Sequence, residues 1–124
     1  MTSDLTREFT LALSTVGSDT QVAAATGAVA LYEARELERC VVARIAQGRT
    51  RVVLDLVDVT EVGPGLLGVL LRVRRGVTRV EGALALVVAG PPVSDLVATT
   101  LLGGLIQVAG DRERALALVG ASPL

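Results

Sequence analysis

The stretch Arg51–Gly82, RVVLDLVDVTEVGPGLLGVLLRVRRGVTRVEG, decides the fold. It opens on Val52-Val53-Leu54-Asp55-Leu56, an apolar run rich in β-branched residues, the pattern of a buried strand. Gly63-Pro64-Gly65 breaks the pattern, and a helix-periodic segment runs from Leu66 to about Val80. On that helix Leu67, Leu70, Leu71, Arg74 and Val77 trace one side, and Arg72, Arg75 and Arg79 another. Gly63 is an acceptable N-cap, and Pro64 suits the first helical position, where its missing amide costs nothing. A strand feeding a helix through such a turn brings unpaired backbone amides to one point, where binding or chemistry can be built.

On the N-terminal side, Phe9–Ser14 alternates apolar and polar residues as a half-buried strand does. Gly17-Ser18-Asp19 is a turn, Gln21–Ala25 returns as the second strand of a hairpin, and Gly27 closes the unit. Leu31, Ala34, Leu37, Val41 and Ile45 then recur at helical spacing up to Gly48. Cys40 sits among apolar neighbours of this helix and reads as a packed hydrophobe. Beyond Gly82, Ala83–Val88 is a third apolar run, Val93 to about Leu101 a helix, Leu105–Val108 an edge strand, and Arg112–Val119 a last helix capped by Asp111. The sum is an α/β domain of about five strands and four helices in ββαβαβαβα order, a mixed sheet in one layer pair. It fills the 124 residues as a single domain with its core over about 9–119.

Composition narrows function. The chain is 51% hydrophobic, yet charges and glycines interrupt every apolar run before membrane-spanning length. The opening residues lack a signal-peptide pattern, and one cysteine excludes a disulfide framework, so the expected location is cytoplasmic. Net charge is −1 and aromatic content 2%, which disfavour a nucleic-acid partner. All twelve basic residues are arginines. With no histidine, metal sites and histidine-dependent triads lose their usual residues, so neither an enzyme nor a metal is expected. Asp55 and Asp58 have no accompanying base or acceptor to form a catalytic pair.

Gly63-Pro64-Gly65-Leu66-Leu67-Gly68 satisfies G-x-G-x-x-G, the dinucleotide fingerprint. Its context does not. Six residues separate Leu56 from Gly63, where the first glycine should follow its strand at once, and a hairpin precedes the strand. No acid follows at the end of the next strand, which reads Leu84-Ala85-Leu86-Val87-Val88. No nucleotide cofactor is expected.

From Phe9 to Val119 the chain resembles a STAS domain, the fold of bacterial anti-sigma factor antagonists. That family has a strand ending in L-D-L, and eight residues past its aspartate the sequence D-S-S-G-L-G at the next helix start. Leu54-Asp55-Leu56 matches the strand, Gly63 falls eight residues past Asp55, and Leu67-Gly68-Val69-Leu70-Leu71 matches the helix entry. Thr100-Leu101-Leu102 stands where the family often has T-G-L, and Asp111, Arg112, Glu113 and Ala115 resemble the start of its last helix. In the family a partner kinase phosphorylates the second serine of D-S-S-G. That position falls here on Gly65, with Pro64 at the first serine and Gly63 at the aspartate; in a register shifted by one it falls on Pro64. The family's G-E-L-D segment is represented by Gly27-Ala28-Val29-Ala30, which lacks its acids. Thr60 is the nearest hydroxyl a kinase could use instead.

The resemblance implies a protein-interaction module that docks on an anti-sigma factor or related kinase-like regulator. The contact would use Gly63, Pro64, Gly65, Leu66, Leu67, Gly68 and Arg72, with Leu66 exposed beside the turn. The alternative is a self-assembling or scaffold STAS subunit, for instance a homodimer, of a stressosome-like or membrane transport complex.

Overall fold

The computed structural model describes residues 8–100 and 104–121. Its elements in chain order are β1 (Thr10–Val16), β2 (Thr20–Val29), α1 (Leu31–Ala46), β3 (Arg51–Val62), α2 (Leu66–Arg79), β4 (Ala83–Val87), α3 (Val93–Thr100), β5 (Gln107–Ala109) and α4 (Arg112–Leu118). This is the expected ββαβαβαβα order. The five strands lie side by side in the order β1-β2-β3-β4-β5. β1 runs antiparallel to β2 and every other pairing is parallel. The segment around Leu101 and Leu102, read above as the end of a helix and a T-G-L equivalent, lies outside the described residues.

β3 is the middle strand, and its sequence explains why. Successive strand residues face opposite sides. Val52, Leu54 and Leu56 join the large core with Leu37 and Val41 of α1 and Leu66, Val69, Leu70, Val73 and Val77 of α2. Val53 faces the other way, into a smaller cluster with Val22, Ala85, Val87, Ala115 and Val119. Residues apolar on both sides of a strand suit a sheet covered on both faces. The described residues therefore form three layers, with α4 the helix found among them on the second face, where a layer pair was expected. The continuous runs of β3 and β4 carry that signal.

Two strands are longer than expected. β3 continues past Leu56 through Asp58, Thr60 and Glu61 to Val62, and β2 through Gly27 to Val29. Val29 and Val62 are paired, with register shifts between Ala24 and Thr26 and between Gly27 and Ala28. Gly27 lies inside the strand at φ +84 and marks the irregularity, where it was expected to end the unit. The polar outward residues at the end of β3 imitate a loop in composition while the backbone remains paired.

α1 buries Ala34, Leu37 and Val41, whereas Leu31, read above as part of that face, is 45% exposed. Cys40 is half-buried. The end of α1 is tied to the sheet by Gln21, which is wholly buried. Its Nε2 donates to the carbonyl oxygens of Val41 (3.2 Å) and Arg49 (3.0 Å).

Candidate functional site

The parallel strands β2 and β3 end together, and each turns at once into a helix. The two corners, Val29-Ala30-Leu31 and Val62-Gly63-Pro64-Gly65-Leu66, touch. The Gly63 amide donates to the Val29 carbonyl at 2.8 Å. A Cβ on Gly63 would lie 3.1 Å from Ala30 Cα and 3.4 Å from Val29 O, so the backbones approach too closely for a side chain to fit without a shift.

α2 begins at Leu66, as its periodicity suggests, but its N-cap falls two residues later than Gly63, the cap expected from the sequence. Its N-cap is Gly65, at φ +107 and ψ −28, and no side chain caps it. A Cβ on Gly65 would meet Leu31 Cδ1 at 2.7 Å. Position 65 is thus held by backbone geometry as well as by contact, since L-residues rarely adopt that φ. Pro64 occupies the turn ahead of the helix, exposed, where the first helical position was expected. The neighbouring α1 also starts without a capping side chain, at Ala30. Two helix N-termini therefore stand side by side with their first-turn amides unoccupied by any cap.

The change of N-cap revises the side-chain roles. Leu66 is fully buried and anchors α2 in the core, where it was expected exposed beside the turn. Leu67 and Gly68 are half-buried. The buried stripe of α2 is Leu66, Val69, Leu70, Val73 and Val77, so Leu67, Leu71 and the exposed Arg74 do not form its inner face. Leu31, 45% exposed, supplies apolar surface beside Gly65, and Tyr32, 70% exposed, follows it in the first turn of α1; sequence reasoning missed both. The available signal was an aromatic residue and a leucine in the first turn of an amphipathic helix, one of them out of phase with its buried stripe.

Arg72 sits one turn below the corner and clamps α2 to α1. Its Nε and Nη2 donate to Glu38 Oε2 and Oε1, both at 2.9 Å. These hydrogen bonds, and then the carboxylate charge, raise the Arg72 guanidinium above its ordinary pKa. The same guanidinium closes over Gly68, with Nη1 3.2 Å from where a Cβ would stand. Below it an open groove of about 620 Å³ runs between the helices, lined by Arg35, Glu38, Arg39, Val42, Ala43 and Arg72. Thr60 lies exposed on β3, before the turn. Asp55 is engaged structurally, accepting Arg112 Nη2 at 2.7 Å and Nε at 3.0 Å.

Residues 11–107 match the family model described as Mlab, STAS domain. The chain belongs to the STAS domain family. Solved structures of anti-sigma factor antagonists share its fold. An anti-sigma factor antagonist from Mycobacterium paratuberculosis superposes with a TM-score of 0.82 at 21% identity, covering 92% of this chain and 96% of that one. The anti-sigma factor antagonist SpoIIAA in its unphosphorylated form gives 0.77 at 19% identity, covering 91% and 99%. The phosphorylated form of SpoIIAA, a Bacillus cell fate determinant, gives 0.71 at 18%, covering 87% and 97%. No curated protein matches the chain. Among the described residues, no helix of this STAS chain is long and apolar enough to cross a membrane.

Proposed function

We propose that this STAS protein is a non-catalytic docking module for an anti-sigma factor or related kinase-like regulator, and that it lacks the usual phosphoacceptor. Its contact surface centres on Gly63, Pro64, Gly65, Leu67 and Gly68, with Leu31, Tyr32 and the Arg72–Glu38 clamp around them. Gly65 takes the place of the family's phosphorylated serine. The observation that carries this reading is the Gly65 backbone, at φ +107 with the Leu31 side chain where a Cβ would go. An L-serine would be strained there, so the position suits a turn better than a hydroxyl nucleophile.

Phosphorylation regulates by adding about −1.5 to −2 charges at a site. A corner with no hydroxyl between Gly63 and Gly68 has no place for that charge, so docking would not be switched off there. The test is calorimetric titration of the chain into the kinase-like anti-sigma factors of its source organism, with and without ATP. The expected result is a complex that ATP does not dissolve and that Gly65→Asp weakens. A phosphorylated chain that dissociates, with the phosphate on Thr60 or elsewhere, would overturn the reading, as would absence of binding to every such factor.

A second reading, a self-assembling or scaffold subunit, is favoured by the sheet edge. β5 has three residues, and Val108 on it and Leu118 on α4 are 38% and 44% exposed. Sedimentation at micromolar concentration separates the two, because this reading requires a homodimer that kinase-like factors leave intact.

A further inference from the structure

α2 carries Arg72, Arg74, Arg75 and Arg79 and no acidic residue. Outside α2, four of the seven described arginines meet carboxylates, Arg39 with Glu36, Arg51 with Asp19, Arg112 with Asp55 and Arg114 with Asp111, while Arg35, Arg44 and Arg49 meet none among the described residues. On α2 only Arg72 does so. Among the described residues no carboxylate lies within ion-pair distance of Arg74, Arg75 or Arg79. Arg74 Nε donates to the Leu105 carbonyl at 2.8 Å, which fixes the guanidinium without neutralising it. These three arginines, with Leu71 and Thr78, line a depression of about 310 Å³. The Thr78 hydroxyl donates to the Arg74 carbonyl at 2.8 Å, so the donors facing the depression are guanidinium N–H groups.

We propose that this cluster is a docking site for an acidic polypeptide segment of a partner protein, with carboxylates seated between the guanidinium forks of Arg74, Arg75 and Arg79. The forks match carboxylate geometry. Arg75 and Arg79, one helical turn apart, repel each other until an anion lies between them. The depression is open and its arginines are exposed, so it does not enclose a small molecule as ligand pockets do. A nucleic acid or an anionic membrane would need a broadly basic surface, and this chain has 13 acids against 12 arginines. A short acidic segment needs only the local charge. The arginines lie on the last two turns of α2, about 14 to 21 Å along the helix from Gly65 at about 1.5 Å per residue. The site stands whether or not the glycine corner docks a regulator.

The experiment is a titration of the full ¹⁵N-labelled chain with a hexaglutamate peptide, following the arginine Nε–Hε correlations. Saturable shifts confined to Arg74, Arg75 and Arg79, weakening as salt rises from about 50 to about 300 mM, are expected. R75Q/R79Q should weaken binding about fivefold to tenfold. R114Q, at a distant exposed arginine, should bind as wild type, and both variants should keep the wild-type melting curve. Equal affinity in R75Q/R79Q, or no shift at these arginines, would overturn the proposal. So would inorganic phosphate or phosphatidylserine vesicles shifting the same signals at lower concentration than the peptide.

Discussion

Replacing Gly65 by serine tests the geometry of the corner directly. The substitution asks an L-residue to take φ +107, ψ −28 and to place a Cβ 2.7 Å from Leu31 Cδ1. The backbone cost is about 1–3 kcal/mol. Turning Leu31 aside adds about 0.5–1.5 kcal/mol if it must leave a rotamer well, and little if another well is open, because that side chain is 45% exposed. Reduced freedom of the unfolded chain returns about 0.4–1 kcal/mol. The central values of these terms sum to a net loss of about 2 kcal/mol. The chain has no tryptophan, so urea unfolding is best followed by far-ultraviolet circular dichroism, with a lower midpoint and an unchanged slope.

A double-mutant cycle with Leu31→Ala separates the two terms. If the left-handed backbone dominates, Gly65→Ser costs nearly the same in the Leu31→Ala background. If the Leu31 contact dominates, most of the loss disappears. A Gly65→Ser protein as stable as wild type in both backgrounds would refute the reasoning, since a residue in the ordinary α or β region pays no such cost. The alternative register, with Pro64 at the acceptor position, would then regain weight.

Leu66→Ala should cost about 2–5 kcal/mol in the same assay, as expected for a fully buried leucine, while Pro64→Ala at the exposed turn should stay within about 0.5 kcal/mol. Equal effects would mean that Leu66 is not the core anchor. Gln21→Met should cost about 1–3 kcal/mol, because the carbonyls of Val41 and Arg49 lose a donor; a neutral result would show that removing the buried, unpartnered Gln21 Oε1, or entry of water, offsets that loss. Asp55→Asn should cost no more than about 1 kcal/mol and remove part of the salt dependence of stability, since the Arg112 partner is half solvated. A larger, salt-independent loss would place that pair in a drier setting than its 48% and 15% exposures indicate.

The strand–turn–helix unit and the parallel pairing were legible because β3 opens on, and β4 consists of, an aliphatic run set off by glycine a few residues to either side. What escaped was local direction. The first two turns of α2, Leu66-Leu67-Gly68-Val69-Leu70-Leu71, are apolar nearly all round, so their periodicity does not choose a buried side. The arginines do choose: Arg72, Arg74, Arg75 and Arg79 leave Val73 and Val77 as the uncharged stripe, which extended upward selects Leu70 and Leu66. Each residue turns the helix by about 100°, so taking Leu67 in place of Leu66 rotates the presumed inner face by a quarter turn or more. The ends of β2 and β3 escaped for another reason. Past the helix layer an outward residue meets water, so Asp58, Thr60 and Glu61 read as loop although the strand they sit on remains paired to Val62.

Those extended strand ends build the corner at which docking is proposed. By carrying Val29 and Val62 to the same level, they set the starts of α1 and α2 against each other, and the Gly63–Val29 hydrogen bond locks that contact. Helix starts are ordinarily satisfied by a serine, threonine, aspartate or asparagine at the N-cap. Here Ala30 and Gly65 occupy both caps, and neither offers an oxygen to the first-turn amides. A cap is typically worth about 0.5–2 kcal/mol per helix. Two uncapped helices in contact, bordered by the exposed Leu31 and Tyr32, are therefore a corner whose donors and apolar surface a partner can satisfy together. Installing caps from within the chain should compete with that partner. Ala30→Asp, which supplies an N-cap carboxylate to α1, is expected to stabilise the free protein by up to about 1 kcal/mol while weakening docking. A variant that gained stability and bound its regulator unchanged would show that the partner does not use the uncapped amides.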